Sequence, residues 1–358
     1  MAEILGIGCS HGPQMRLTDE TMADVYFRHN LHNERTPAEW KDPSAWPAAL
    51  RQEWGSDEGL EAARRHRAEL LKGYRVARQA IDDFRPDVVV IFGDDQYENF
   101  REDVLPPFCI FAMDELELSM HSGSRGPAGS IVMERPPLQA MAKGSKHIGT
   151  FLADELVRQG VDVACSWKLH HHHGLAHAFH HTLDYLDWDR KGFPYTVVPF
   201  HVSCYGEDLR VPTPESEVVT GTLMEGVKVR PPVAPPPWRC YDVGKALGQV
   251  LTASQYRAII IGSASWSHAS LTDKHGYMWG DVDSDREHLE QLRRGEFHVW
   301  RDLDEDAIRR SGQHEMRNWI CLAGAMEGRR AEVLAYAETY IFNSSKCVAL
   351  FPVLSGNE

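Results

Sequence analysis

Apolar and polar positions along the chain switch between two periods. Glu3 to Ile7 reads as a short buried strand that runs into Gly8-Cys9-Ser10-His11-Gly12-Pro13. From Gly59 to Phe84, the residues Leu60, Ala63, His66, Leu70, Tyr74, Ala77 and Ile81 recur at helical spacing, and Pro86 closes the element. Asp87-Val88-Val89-Val90-Ile91-Phe92 follows as a nearly unbroken apolar run. That is the mark of a strand covered on both faces, and it ends in Gly93-Asp94-Asp95-Gln96.

The alternation then repeats. An amphipathic helix is predicted over 148–158, with Gly160 just past its end, where a glycine that must adopt positive φ belongs. Val161 to Ser166 reads as a strand leading to His170-His171-His172-His173-Gly174, and Tyr195 to Phe200 as another ending at His201. Pro231 to Pro237 is a proline-rich turn region, Val243 to Leu251 a helix, and Ala258 to Gly262 a strand that ends in Ser263-Ala264-Ser265-Trp266-Ser267-His268. The stretch 283–335 reads as mostly helical, and the polar, Trp-bearing segment 17–55 as an insertion of loops and short helices. Strands alternating with helices predict an α/β fold with a central mixed sheet flanked by helices. One domain over 1–358 is expected, with the N-terminal insertion at about 17–55 and a helical C-terminal part.

Composition narrows this only a little. The 358 residues, 42% hydrophobic and 25% charged, suit a soluble globular chain with a sizeable core. A net charge of -14 without a basic run argues against nucleic acid and anionic membrane as partners. No stretch approaches the ~20 apolar residues of a membrane span. The N-terminus lacks a basic segment followed by a long apolar one. The seven scattered cysteines form no CxxC, which suits reduced thiols. A cytoplasmic location is therefore expected. The one oddity is the 19 histidines.

Several of those histidines fall at strand ends. His11, Asp94-Asp95-Gln96, His172-His173, His201 and His268 all follow apolar runs, and in open α/β sheets ligands bind outside the carboxyl ends of the strands. Imidazole, carboxylate and amide groups gathered there suit a divalent metal. Each residue alone also has a plain explanation. A histidine after a strand is more often structural or solvent-facing, the run 170–173 reads equally as a solvated loop, Asp94 and Asp95 as turn formers, and Glu315 as an exposed helix charge. Only their joint order carries weight.

That order resembles the class III extradiol ring-cleavage dioxygenases, whose members include protocatechuate 4,5-dioxygenase and 2,3-dihydroxyphenylpropionate 1,2-dioxygenase. The stretches that carry the resemblance are GCSHGP, VVVIFGDDQYENFREDVLPPFCIF, HHHGLAH, VVPF, GSASWSH and EMRNWICLAGAM. Within the superfamily they look most like the branch that cleaves methoxylated, lignin-derived catechols such as 3-O-methylgallate. The resemblance implies Fe(II) held by two histidines and a glutamate, an aromatic substrate with adjacent hydroxyls, O2 as co-substrate, and a homo-oligomer. It puts His11 and Glu315 at two ligand positions, and Gln96 where the pattern has its second histidine. Gln96 could bind the metal directly or through water, or Asp95 could swing in. His268 matches the family's catalytic base, and His173 its second acid/base histidine. His172 stands where relatives tend to carry an aspartate, which leaves the tuning of His173 open. A non-enzymatic binding protein on the same fold and a metal-dependent hydrolase are the rival readings.

Overall fold

A computed structural model describes residues 2–101, 103–118, 140–171, 174–208 and 231–354. Its strands are β1 (Ile4–Cys9), β2 (Val88–Gly93), β3 (Phe108–Phe111), β4 (Glu115–Leu118), β5 (Ala140–Lys143), β6 (Ala164–Ser166), β7 (Val197–Val202), β8 (Ala258–Ser263), β9 (Glu332–Ala337) and β10 (Lys346–Phe351). The helices are α1 (Asp19–Met22), α2 (Asp24–Leu31), α3 (Ala48–Trp54), α4 (Leu60–Phe84), α5 (Lys146–Arg158), α6 (His177–Leu186), α7 (Pro237–Ala253), α8 (Val282–Arg294), α9 (Glu305–Arg310) and α10 (Met316–Ala325).

Eight strands form one mixed sheet in the order β6-β3-β7-β2-β8-β1-β10-β9, and β4 pairs with β5 apart from it. The centre, β7-β2-β8-β1, is parallel throughout. The flanking pairs β1–β10, β10–β9 and β3–β7 are antiparallel. β1, β2, β7 and β8 are buried at every position, as continuous apolar runs require when helices cover both faces. Because the four central strands point the same way, the residues after Cys9, Gly93 and Ser263 come out on one edge of the sheet.

One cluster of apolar side chains packs α5, α7 and α10 against one face, and a second packs α4 and α6 against the other. α10 sits unusually close to its neighbours. A Cβ on Gly244 would run into the Cys321 carbonyl, and one on Gly324 into the Tyr241 carbonyl, so α7 and α10 touch backbone to backbone. Trp319 of α10 lies over Gly8 of β1, where any side chain would overlap its ring, and donates its indole N–H to the Ala264 carbonyl at 2.9 Å. Truncating so buried a tryptophan would cost about 3–5 kcal/mol. This packing fixes the start of α10, and with it Glu315.

The α/β architecture, the long helix over 60–84 and the short helices of segment 17–55 agree with the sequence reading. The far C-terminus does not. Helix ends at Ala325, and the expected helical stretch instead contains β9, which pairs with a further strand, β10. His201 lies inside β7 rather than beyond its end, and packs against the Phe100 ring at 4.7 Å.

Candidate active site

The site is assembled from the turns that leave the parallel strands and from the first residues of two helices. His11 follows β1, Asp94 to Gln96 follow β2, His268 ends the loop after β8, His177 opens α6, and Glu315 immediately precedes α10. His11, Asp94, Glu315 and His268 are all buried.

The turn after β2 is built around Asp95. Its carboxylate accepts the backbone N–H groups of Glu98 (3.1 Å), Asn99 (2.6 Å) and Phe100 (3.2 Å). These bonds hold Tyr97 in the left-handed region at φ 66°, a conformation that needs such support in a residue other than glycine. The turn in turn grips the segment before α6. Asn99 donates to the Gly174 carbonyl at 2.8 Å and accepts from the Ala176 N–H at 2.7 Å. Glu98 accepts the His177 backbone N–H at 3.2 Å and pairs with its Nδ1 at 2.8 Å. One turn further along α6, His181 Nδ1 donates to the His11 carbonyl at 2.9 Å.

The orientation of His11 follows from its neighbours. Thr182 Oγ1 donates to the Ala178 carbonyl at 2.7 Å, so Ser263 Oγ gives its proton to that hydroxyl, 2.5 Å away, or to the same carbonyl, and toward His11 Nδ1, 2.9 Å away, it is the acceptor. Nδ1 therefore carries the proton and Nε2 a lone pair. Nε2 faces Glu315 Oε2 at 3.5 Å and Asp94 Oδ1 at 3.7 Å. Ligand atoms of His11, Asp94 and His177 all lie within 4.8 Å of one another. Glu315 Oε2 is buried and, among the described residues, has no hydrogen-bond partner.

The His11 lone pair and the Asp94 and Glu315 carboxyls thus crowd together out of water, an arrangement that costs energy unless protons or a cation lie among them. The separations are somewhat looser than the ~3 Å expected between neighbouring donors at metal–ligand distances of about 2.0–2.2 Å. The donor set of imidazole nitrogens and carboxylate oxygens suits a divalent transition metal.

The other oxygen of Glu315 faces a different environment. Oε1 accepts the Tyr205 hydroxyl at 2.5 Å and the Gln96 amide at 3.2 Å, and lies 3.4 Å from His268 Nε2. The Gln96 amide nitrogen also reaches the Tyr205 hydroxyl oxygen at 2.7 Å. Gln96, Tyr205, His268, Ser270, Leu271 and Asn343 line an open cleft of about 120 Å³. An apolar cavity of about 150 Å³ accepts benzene, so the cleft is on the scale of one aromatic ring. Glu315 therefore divides the site, with Oε2 toward His11 and Oε1 toward the cleft.

Electrostatics separate the groups further. Burial holds the His11 imidazole down to about 3 and also lowers His268, so both rings are neutral near pH 7. Burial raises Asp94 well above the usual carboxylate range, and the nearby Glu315 charge adds to it. Burial works against the Glu315 anion too, but the His268 and His11 rings and the Tyr205 hydroxyl outweigh it and bring the carboxyl to about 2. Burial disfavours the His177 cation, yet Glu98, then Asp94 and Glu315, lift it to about 10.

Four residues singled out from the sequence, His11, Gln96, Glu315 and His268, come together here, while His172 and His173 lie outside the described residues. Asp95 turns away into its own backbone bonds. Asp94 was named only within the strand-end group Asp94-Asp95-Gln96, and Glu98, His177 and Tyr205 were given no role in the sequence reading. His177 was visible only as the last residue of HHHGLAH, and Glu98 as one acid in QYENF. Nothing local announces that the two pair across 79 positions.

A family model described as the catalytic LigB subunit of aromatic ring-opening dioxygenase matches residues 226–346, a span that contains His268 and Glu315. The 2,3-dihydroxyphenylpropionate/2,3-dihydroxicinnamic acid 1,2-dioxygenase of Paraburkholderia xenovorans (strain LB400) is 26% identical over 307 residues, covering 73% of this chain and 82% of that protein. An enzyme of the same name, numbered 2, from Pseudomonas putida is 28% identical over 200 residues, 56% of this chain and 49% of the relative. A Rhodococcus sp protein of that name is 28% identical over 193 residues, 54% and 46% of the two chains. The matched C-terminal region and these relatives make the chain similar to class III extradiol ring-cleavage dioxygenases.

Proposed function

We propose that this protein uses a bound metal, Fe(II), and O2 to open a catechol-type aromatic ring beside its paired hydroxyls. The observation that carries this reading is the division made by Glu315. On one side lies a buried convergence of imidazole and carboxyl groups; on the other, a ring-sized cleft with a neutral histidine in its wall. The resemblance suggests the reaction class, and the partial family match and the dioxygenase names of the relatives support it.

His11 and Glu315 hold the metal in this reading, with the position of Gln96 as the family's third. When bound, ferrous iron would relay electrons from the catechol ring to O2, remaining Fe(II) over the cycle, and would make the adjacent phenol more acidic. The chain's own residues do the rest. His268 Nδ1–H donates a hydrogen bond to the Trp266 carbonyl at 3.2 Å, which leaves Nε2 to accept the proton of a hydroxyl in the cleft. Its loop is held still: the His268 N–H bonds the Gly312 carbonyl at 3.0 Å, and Ser267 bonds Asp285 through both its N–H and its hydroxyl. Tyr205 and Gln96 keep Glu315 Oε1 occupied, so that Oε2 stays turned toward His11. His173, by resemblance, serves the later proton transfers.

The substrate class is a lignin-derived or otherwise substituted hydroxybenzoate with adjacent hydroxyls. The setting is the cytoplasm, and the assembly a homo-oligomer. Among the described residues no helix is long and apolar enough to cross a membrane.

The test is anaerobic loading with Fe(II), followed by catechol substrates and measurement of O2 uptake. Uptake that requires iron and yields a yellow ring-opened product is expected. A metal-dependent hydrolase would turn over without consuming O2, and a binding protein would not turn over at all; either result would overturn the reading.

A further inference from the structure

We infer that the second imidazole on the metal comes from His177, at the start of α6, and that Gln96 stands outside the metal's ligands as part of the substrate cleft. This rests on the metal-dependent reading above and changes its ligand set.

Three observations lead here. First, the atoms that converge with His11 belong to Asp94 and His177, and the two imidazole rings stand 5.0 Å apart, edge to face at 78°. Second, His177 is oriented as a metal-bound histidine is. Its Nδ1 pairs with Glu98 at 2.8 Å and its backbone N–H is held by the same carboxylate. A carboxylate on one ring nitrogen fixes the tautomer, leaves Nε2 for the ion and strengthens it as a donor. His177 keeps 23% of its side-chain surface exposed, which gives an ion a way in past a residue that binds it.

Third, Gln96 is otherwise engaged. Its amide nitrogen has three acceptors around it, Tyr205 Oη at 2.7 Å, Glu315 Oε1 at 3.2 Å and Asp94 Oδ2 at 3.5 Å. Glu315 is held as an anion whose oxygen cannot donate, so the NH2 group must face it and the amide oxygen must point elsewhere. Gln96 also lines the cleft. Two imidazoles and a carboxylate on one side of an ion is a set that leaves open positions for exogenous ligands. His11, His177 and Asp94 complete that set without position 96, and Glu315 Oε2 adjoins it 3.5 Å from His11. The amide at 96 is then left to bond a group on the substrate ring.

The experiment measures metal binding and its ligands, without turnover. Co(II) is titrated calorimetrically into the metal-free protein, and the imidazoles on a Cu(II)-loaded sample are counted by pulsed EPR. In the wild-type chain two imidazoles are expected. His177→Ala and His177→Gln should each weaken Co(II) binding by more than ~100-fold and leave one imidazole. Glu98→Gln should weaken it about 10–100-fold, as expected for the partner of a ligating histidine, with both imidazoles retained. Gln96→Ala should change affinity less than about fivefold. The two His177 variants are checked for native circular dichroism, and the Glu98 variant tests the same claim where α6 starts with its own residue.

Unchanged Co(II) affinity in both His177 variants, a single imidazole in the wild type, or loss of metal in Gln96→Ala would each overturn the assignment, as would a wild-type chain that takes up no metal. Two imidazoles with no O2 uptake on catechols would leave His177 as a ligand and remove the dioxygenase reading instead.

Discussion

Asp94 and Asp95 are adjacent, both buried, and differ in almost everything that matters to a carboxylate. Asp95 receives three backbone N–H groups and serves as the hub of the turn after β2. Asp94 points the other way, where a single Asn318 amide at 3.3 Å and a distant Gln96 amide are its donors, and where Glu315 and the lone pair of His11 face it. Water has been removed from both. In one place the fold has replaced it with donors; in the other it has gathered more acceptors. A buried acid with its own donors is architecture, whereas a buried acid among acceptors is a place kept for a cation or for a proton in transit.

Four outcomes would break or sharpen that contrast. The largest effect should come from the neutral histidine between metal side and cleft. His268→Ala should lower turnover by roughly two to four orders of magnitude, the usual worth of a positioned acid–base group, with iron per chain nearly unchanged. Iron lost together with activity would move His268 into the ligand set. Unchanged turnover would remove it from the mechanism.

Asp95→Ala comes next. It strands three buried N–H groups and should cost about 3 kcal/mol in denaturant unfolding. It should also loosen the grip of Glu98 and Asn99 on the start of α6. A variant as stable as the wild type would show that the turn does not depend on its hub.

Asp94→Asn should behave in the opposite way. The metal-free protein should unfold at the same denaturant concentration or a higher one, by about 1 kcal/mol, because a second buried carboxylate beside Glu315 has been removed. The same change should shrink the stabilisation produced by added Fe(II) or Co(II), since binding to the folded state is what raises stability. A large loss of apo stability would show that Asp94 is as architectural as its neighbour.

The contrast also shows where reading a sequence stops. The parallel core was legible because its strands are continuous apolar runs, and α4 because twenty-five residues of helical spacing leave little ambiguity. β9 was not. Glu332-Val333-Leu334-Ala335-Tyr336-Ala337 mixes helix formers with strand formers, and only the register with β10 makes it a strand. At the site, His11, Gln96, Glu315 and His268 were legible through motif order. Asp94 and Asp95 looked alike because the direction of a side chain after a strand end is set by the turn, which forms through bonds to residues three to five positions on. His177 was one histidine in a crowded stretch, and its partner Glu98 is contributed by a different turn of the fold.

The smallest and most selective change is Gln96→His. Because position 96 stands outside the inferred ligand set, iron affinity should stay level within about fivefold. A marked drop would mean that the amide, through Tyr205 and Glu315, holds the metal side in shape.

The central claim, that this chain inserts O2 into a catechol ring, is tested most directly by single turnover of the Fe(II)-loaded protein with a methoxylated or carboxylated catechol under 18O2, with mass analysis of the product. The account predicts a ring-opened product that carries both atoms of the labelled O2, before exchange with water. An unlabelled product, or a substrate recovered intact while iron remains bound, would contradict it.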